Sequence, residues 1–374
     1  MKPTAYPPDI DSRRLVNVGA ERATNVSSTD FPGHYPGEDH RWSLTQFKEN
    51  SRVELTRLSN RSVEFDMVGV DASISNAYRR VMIAEVPSVC IEHVYVWNNT
   101  SVMQDEVLAQ RLGLIPLNAD PKLFEMRDPE NDVPTDRNTL VFKLSVECTR
   151  KTKEGNSTDP DVLYENHTVT AGMLEWVPQG EQAELEEFQK KPPAPTNPNI
   201  VLIKLRPGQA IDLECHAVKN FGKEHAKWSP VATASYRLHP HISLISQPPR
   251  HLTQKFQSCF SPGVIRVNPR TGLVEVDEKK VRNESMSREV LRHPEFEGCV
   301  KLGRVRDWFL FKVESEGPYA PEDLVPVAGH ILREKIAVLR KAAEALRSQD
   351  GDEEGDSPKL AAEGTEGDVV MMDS

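Results

Sequence analysis

Apolar positions along this chain fall into two rhythms. One recurs every three or four residues and predicts helix; the other alternates and predicts strand. The helical rhythm is clearest over residues 71–86, where Ile74, Ala77, Tyr78, Val81 and Met82 make one face. Asp71 is placed to cap that helix, its carboxylate accepting from an orphan N–H of the first turn. Arg79 and Arg80 sit toward the negative end of the helix dipole. Pro87 closes the helix by disfavouring helical geometry at Val86. Residues 90–97, rich in β-branched and aromatic side chains, read as a strand. Asp105 opens a second, short helix with Val107, Leu108 and Leu112 on one side. Gly113 ends it as a residue that tolerates positive φ.

Strand rhythm surrounds this block. Residues 53–58 and 63–70 alternate about a turn at Ser59-Asn60-Arg61 and predict a hairpin that feeds the first helix. After Leu117 the texture changes. A polar stretch with Pro121, Pro129 and Pro134 leads into the unbroken alternation Leu140, Phe142, Leu144, Val146, Cys148. Further strands are expected within 164–176, 200–205 and 211–218, with a Pro-rich connection over 190–199. Residues 118–229 therefore read as a β-rich unit inserted in the chain. Ala232, Ala234, Tyr236 and Leu238 alternate again and return to the first sheet.

Toward the end, Leu324, Ala328, Leu332, Ile336, Leu339, Ala343 and Leu346 form a stripe at spacings of 4, 4, 4, 3, 4 and 3. They predict a helix over 321–347, with Pro321, Glu322 and Asp323 suited to its first turn. Pro326 conflicts with this reading, because inside a helix it removes an N–H. Either the helix starts near Pro326 or it kinks there. The stripe packs on its own sheet or against a second chain.

Composition changes the picture at the two ends. Hydrophobic residues are 38% and aromatics 6% of 374, low for a chain folded throughout. Residues 1–44 read as a flexible arm and 348–374 as a disordered tail. The net charge is −11, but residues 350–374 hold nine acids and one base, Lys359, so residues 1–349 carry only −3. A nearly neutral body argues against a surface devoted to phosphates. No stretch reaches membrane-spanning length. The first residues lack an apolar signal-peptide core. Five widely spaced cysteines, Cys90, Cys148, Cys215, Cys259 and Cys299, fit reduced, buried thiols of an intracellular protein.

Candidate chemistry is thin. His239 and His241 would point the same way from a strand, and Cys215 adjoins His216, but neither pair has two further ligands at zinc-like spacing. His225 has the Ser229 hydroxyl nearby and no acid placed to orient it, so a positioned loop explains it better than a triad. Glycines are scattered singly and build no phosphate cradle. Lys151, Lys153, Lys190 and Lys191 do not interleave with aromatics into a nucleic-acid-reading motif.

One string is more specific than any of these patterns. NAYRRVMIAEVPSVCIEHVYVWNNTSVMQDEVLAQRLGLIPL, from Asn76 to Leu117, closely resembles the signature of the α-like subunits of multisubunit RNA polymerases. A second segment, Gly222 to Tyr236, is similar to the family's return from its inserted domain, in the expected order. The resemblance covers residues 50–347. Residues 118–147 hold no cysteine for the zinc loop of the polymerase II member, and residues 250–310 hold only Cys259 and Cys299, too few for an archaeal iron–sulfur cluster. These departures, with TLVFKLSVEC and SREVLRHPEFEGCVKLGRVRDWFLFKVES, point within the family to the member shared by RNA polymerases I and III.

The resemblance implies an α+β fold: a dimerisation domain of antiparallel sheet and helices, residues 45–117 joined to 230–347, interrupted by the β-rich insertion at 118–229. Residues 250–310 would be a cluster-free remnant of an extra domain. It implies a non-catalytic nuclear and nucleolar assembly subunit with no cofactor. Such a subunit pairs with a smaller α-like chain, and the pair receives the two large subunits and other small ones. DNA is met only through the complex, and no membrane is involved. Asn76, Arg79, Arg80 and Glu85 are the expected contacts near the first helix, and Ile331, Leu332, Ile336 and Leu339 the expected seam. The competing class is a free-standing nucleic-acid-binding or scaffold module, a stable monomer whose binding falls steeply with salt. An enzyme ranks third, without a motif.

Overall fold

The computed structural model describes residues 10, 14–26, 41–128, 133–151 and 159–350. The expected acidic tail beyond residue 350 and most of the expected N-terminal arm lie outside these residues.

Two antiparallel sheets organise residues up to Ala328. The first has six strands, in the order Ala23–Thr24, Leu15–Val18, Val300–Ser315, Ser62–Val68, Arg52–Leu58, with Val231–Leu244 also pairing with Val300–Ser315. The 16-residue strand Val300–Ser315 is the hub. One side of it pairs with Val231–Leu244, while the other takes Leu15–Val18 and then Ser62–Val68. Phe65 stacks on Phe311 with centroids 4.9 Å apart, and Tyr236 meets Phe309 edge-on at 5.2 Å. The predicted hairpin is present as Arg52–Leu58 with Ser62–Val68. Gly69 (φ +77°) then turns the chain where a Cβ would lie 2.1 Å from the Asn50 carbonyl oxygen, so only glycine fits.

The helix Ala72–Ala84 starts as predicted. The Ser73 N–H and hydroxyl both donate to Asp71 Oδ1, at 2.8 and 2.6 Å. Its buried side differs from the expected apolar face. Ser75, Val81 and Met82 are buried, and the Ser75 hydroxyl meets Met67 Sδ at 3.6 Å, whereas Ile74 is exposed. A small residue lets the helix approach the sheet closely, and that rotation turns Ile74 outward.

The second sheet has four strands, in the order Glu175–Val177, Thr139–Glu147, Ala210–Phe221, Pro87–Asn99. Its inner face and the helix Asp105–Gly113 enclose a core that includes Ile91, Leu108, Leu112, Leu140, Phe142, Leu144, Leu213 and Cys215. Strand and helix over 87–113 were expected with the first sheet; the strand pairs with Ala210–Phe221 instead, so the boundary drawn after Leu117 runs through this layer. Gly113 also has a different reason to be glycine. Its φ is not positive, and a Cβ would sit 3.4 Å from the Ile91 carbonyl oxygen, so it allows close packing of helix on strand. Arg111 ties the helix down by donating to the carbonyls of Leu202 and Val201 at 2.9 and 2.7 Å.

Residues 250–300 build a third core on the end of the first sheet, with Phe256, Val264, Val274, Phe296 and both Cys259 and Cys299 inside it. The lobe is latched to the sheet through a buried carboxylate. Asp66 accepts from Arg282 Nη2 at 2.9 Å, Trp308 Nε1 at 3.1 Å and the Thr56 hydroxyl at 3.3 Å.

Two expectations are corrected at the ends. The supposed flexible arm contributes the buried strand Leu15–Val18, and Arg14 donates to both carboxylate oxygens of Asp307, at 2.9 and 2.7 Å. Alternation over only four residues amid polar sequence hid it. The long helix runs Leu324–Asp350 rather than 321–347. Pro326 is in its first turn, where its missing N–H would be unpaired anyway, so no kink is needed. The Val327 N–H donates back to the Asp323 carbonyl at 3.0 Å.

Candidate subunit interface

The expected contact residues fall into two groups. Asn76, Arg79, Arg80 and Glu85 are on or next to the helix Ala72–Ala84. The structure brings Asn76 and Arg79 together: Arg79 Nε and Nη2 donate to Asn76 Oδ1 at 3.1 and 2.8 Å. That fork is held one turn apart on the helix by the i, i+3 spacing. Arg80 is exposed. Glu85 caps the helix, its N–H donating to the Val81 carbonyl at 2.9 Å. Ile74, on the same helix, is exposed.

Ile331, Leu332, Ile336 and Leu339 lie on the long helix, in a second compact unit that begins at Gly329. Ile331 and Leu332 are half-buried, whereas Ile336 and Leu339 are 65% and 70% exposed. Val338 and Leu346 are exposed as well. Arg340 and Glu344 form an i, i+4 pair at 2.8 Å on the same helix. Large apolar side chains placed in water along several turns are the signature of a surface that another element covers.

Sequence reasoning missed a second exposed apolar row. Val53, Leu55 and Leu58 project from Arg52–Leu58, the terminal strand of the six-stranded sheet. Their alternation was visible, but which face is covered was not. Tyr95 and Trp97, on the terminal strand of the other sheet, are also exposed.

The residues weighed for chemistry have structural partners. His225 Nδ1 accepts the Lys227 N–H at 3.1 Å, and the Ser229 hydroxyl donates to the Val231 carbonyl at 3.2 Å, so the two do not address each other. The loop they shape seats Trp228, whose Nε1 donates to the Val218 carbonyl at 3.1 Å. His239 lies against Trp308 with ring centroids 4.3 Å apart, and burial brings its pKa down to about 4. His241 is likewise lowered by burial, and its Nε2 is 2.9 Å from the Ser243 hydroxyl. Burial pushes the thiols of Cys90 and Cys215 up to about 11 and about 12, which keeps both protonated and poor nucleophiles. Among the described residues no three His, Cys, Asp or Glu side chains group as a metal site would require.

The model of the RNA polymerase Rpb3/Rpb11 dimerisation domain matches residues 64–336. The chain is 46% identical to the DNA-directed RNA polymerases I and III subunit RPAC1 of Bos taurus, over 87% of this chain and 94% of that protein. It is 45% identical to the RPAC1 of Saccharomyces cerevisiae, over 87% and 97%. The DNA-directed RNA polymerase II subunit rpb3 of Dictyostelium discoideum is more distant, at 33% over 80% and 96%. A family model spanning most of the chain, with relatives at this identity over nearly their whole length, establishes that the chain belongs to the RNA polymerase Rpb3/Rpb11 dimerisation-domain family.

Proposed function

We propose that this protein is the non-catalytic assembly subunit common to nuclear DNA-directed RNA polymerases I and III. It pairs with a smaller α-like chain, and the pair is the platform on which the two large catalytic subunits dock. It thereby supports synthesis of ribosomal, 5S ribosomal and transfer RNA, in the nucleus and nucleolus. The higher identity to subunits named for polymerases I and III than to the one named for polymerase II supports the choice within the family. The observation that carries the reading is the exposed stripe Ile336, Leu339 and Leu346 on the long helix. Left in water, these side chains forgo roughly 1.5–3 kcal/mol each that burial would supply. A partner helix would recover it. Ile331 and Leu332 extend the seam. Separately from that seam, Asn76, Arg79, Arg80 and Glu85 would supply polar contacts of their own to partner subunits.

The test is co-purification from native extract with tagged chain at moderate salt. Recovery of a small α-like chain in equal amount, together with the large subunits of polymerases I and III, is the expected result. Leu339→Asp should abolish recovery of the small chain while the sheets remain folded. Survival of the pairing in that variant would remove Leu339 from the seam. A partnerless monomer that binds DNA with a steep salt dependence would replace the reading with a free-standing nucleic-acid module.

A further inference from the structure

The solvent-side face of the four-stranded layer combines features found together nowhere in its core. His93 and Tyr95 on Pro87–Asn99 stand opposite His216 and Glu214 on Ala210–Phe221. Val141 and Lys143 lie in the next strand, and Glu175 beyond them. The register slips between Asp212 and Leu213, so Trp97 is an extra residue in its strand, and it is 64% exposed. Such a bulge re-aims a side chain. Tyr95 packs edge-on against His216 at 4.8 Å, and His216 Nε2 is 2.9 Å from Glu214 Oε1. Asp212 Oδ1 and His216 Nδ1 are shut off from water without a hydrogen-bond partner. Polar atoms in that condition are uncommon and ask for an explanation.

The same strand is an edge. Among the described residues Pro87–Asn99 pairs with Ala210–Phe221 and with no strand on its other side. A loop covers the start of that edge, where the Ser88 hydroxyl and the Cys90 thiol donate to the carbonyls of Trp228 and Lys227. Over residues 93–98 no backbone hydrogen bond among the described residues crosses it. Charge then selects the occupant. Asp212, Glu214 and Glu175 lie along this face, Lys143 stands in register between Glu214 and Glu175, and Lys227 is paired with Glu92. Carboxylates beside aromatic faces repel phosphate and favour guanidinium or ammonium groups.

We propose that this face docks an extended, arginine- or lysine-bearing segment of another protein chain. The segment adds a strand along residues 93–98 and lays cationic side chains over Tyr95 and Trp97 toward Glu214 and Asp212. This deepens the subunit reading, since the segment is sought in the assembled polymerase.

The experiment replaces Trp97, exposed enough to spare the core, with a photo-reactive amino acid in the full chain and irradiates the purified assembly. The expected cross-link falls in one peptide of another protein chain bearing at least two Arg or Lys residues. Amides 93–98 should exchange about tenfold more slowly in the assembly than in the free chain, and Glu214→Lys should cut the cross-link about tenfold, with Glu214→Gln between. Circular dichroism shows that each variant is folded. No cross-link, a cross-link to nucleic acid, a target peptide without basic residues, or indifference to Glu214→Lys each overturns the proposal. The small α-like chain reports separately: if it is present and the cross-link absent, only the docking face falls; if it is absent from the unmodified assembly, the subunit reading falls with it.

Discussion

The short helix Asp105–Gly113 and the long helix Leu324–Asp350 share one apolar rhythm and meet opposite surroundings. Leu108 and Leu112 of the first are fully buried in the core of the four-stranded layer. Ile336, Leu339 and Leu346 of the second are each more than three-fifths exposed. Periodicity says that a helix has a face to cover; it does not say whether the cover comes from the same chain. Where it does, the chain's own stability should depend on the side chains. Where it does not, pairing should depend on them instead.

The largest expected effect tests the self-covered region. Phe142 is fully buried in the core of its layer, the same cluster that holds Leu112 and Phe188. Phe142→Ala should cost about 3–5 kcal/mol of unfolding free energy in urea. A loss under about 1 kcal/mol would mean that the layer is not a closed core.

Next comes the first sheet, through protons. Burial against Trp308, with Arg282, Arg237 and His241 nearby, holds His239 down to about 4, from 6.5. The folded chain keeps the ring neutral while the unfolded chain protonates it near pH 6.5, so the unfolded state binds more protons between these values. Stability is therefore fully present above about pH 6.5 and falls as pH drops toward about 4, by on the order of 2–3 kcal/mol for this group. His241 is lowered in the same direction and adds to the slope. His239→Phe, which keeps a ring beside Trp308, should flatten the dependence in urea titrations at several pH values; an unchanged slope would assign it elsewhere.

The latch between lobe and sheet ranks third. Arg282→Met removes the cation facing Asp66, whose carboxylate keeps Trp308 Nε1 and the Thr56 hydroxyl. Arg282 is partly exposed, so the cost should be about 1–3 kcal/mol rather than the full price of a buried pair. Proteolysis of residues 250–300 should accelerate before global unfolding does.

What could be read in advance divides along the same line. Local signals carried through: the Asp71 cap and the hairpin about Ser59-Asn60-Arg61, while of the two alternatives at Pro326 the structure takes the helix start rather than the kink. Long-range pairing did not. Pro87–Asn99 joins the second sheet because Ala210–Phe221, over a hundred residues later, runs beside it, and no local pattern encodes that register. Leu15–Val18 is too short to signal a strand until Val300–Ser315 offers it an edge. Ile74 was read as core because the rule counts apolar residues, while close approach to the sheet favoured the smaller Ser75. The proposed seam residues were legible as a stripe, and the exposed aromatics Tyr95 and Trp97 only as a strand.

The smallest effect on the chain itself is the sharpest test of the comparison. Leu339 is 70% exposed, so Leu339→Ala should change unfolding free energy by less than about 0.5 kcal/mol, one-sixth or less of the Phe142 effect. Its burial in a helix–helix seam would remove the same side chain from water, so pairing with the proposed small α-like chain should weaken by about tenfold or more. The two numbers come from one variant, by urea unfolding of the free chain and by titration of the pair. A stability loss as large as that of a core residue would mean that the helix is covered by its own chain. No change in either quantity would mean that the stripe is bare in the assembly, and the search for the seam would move to Ile74 and the row Val53, Leu55 and Leu58.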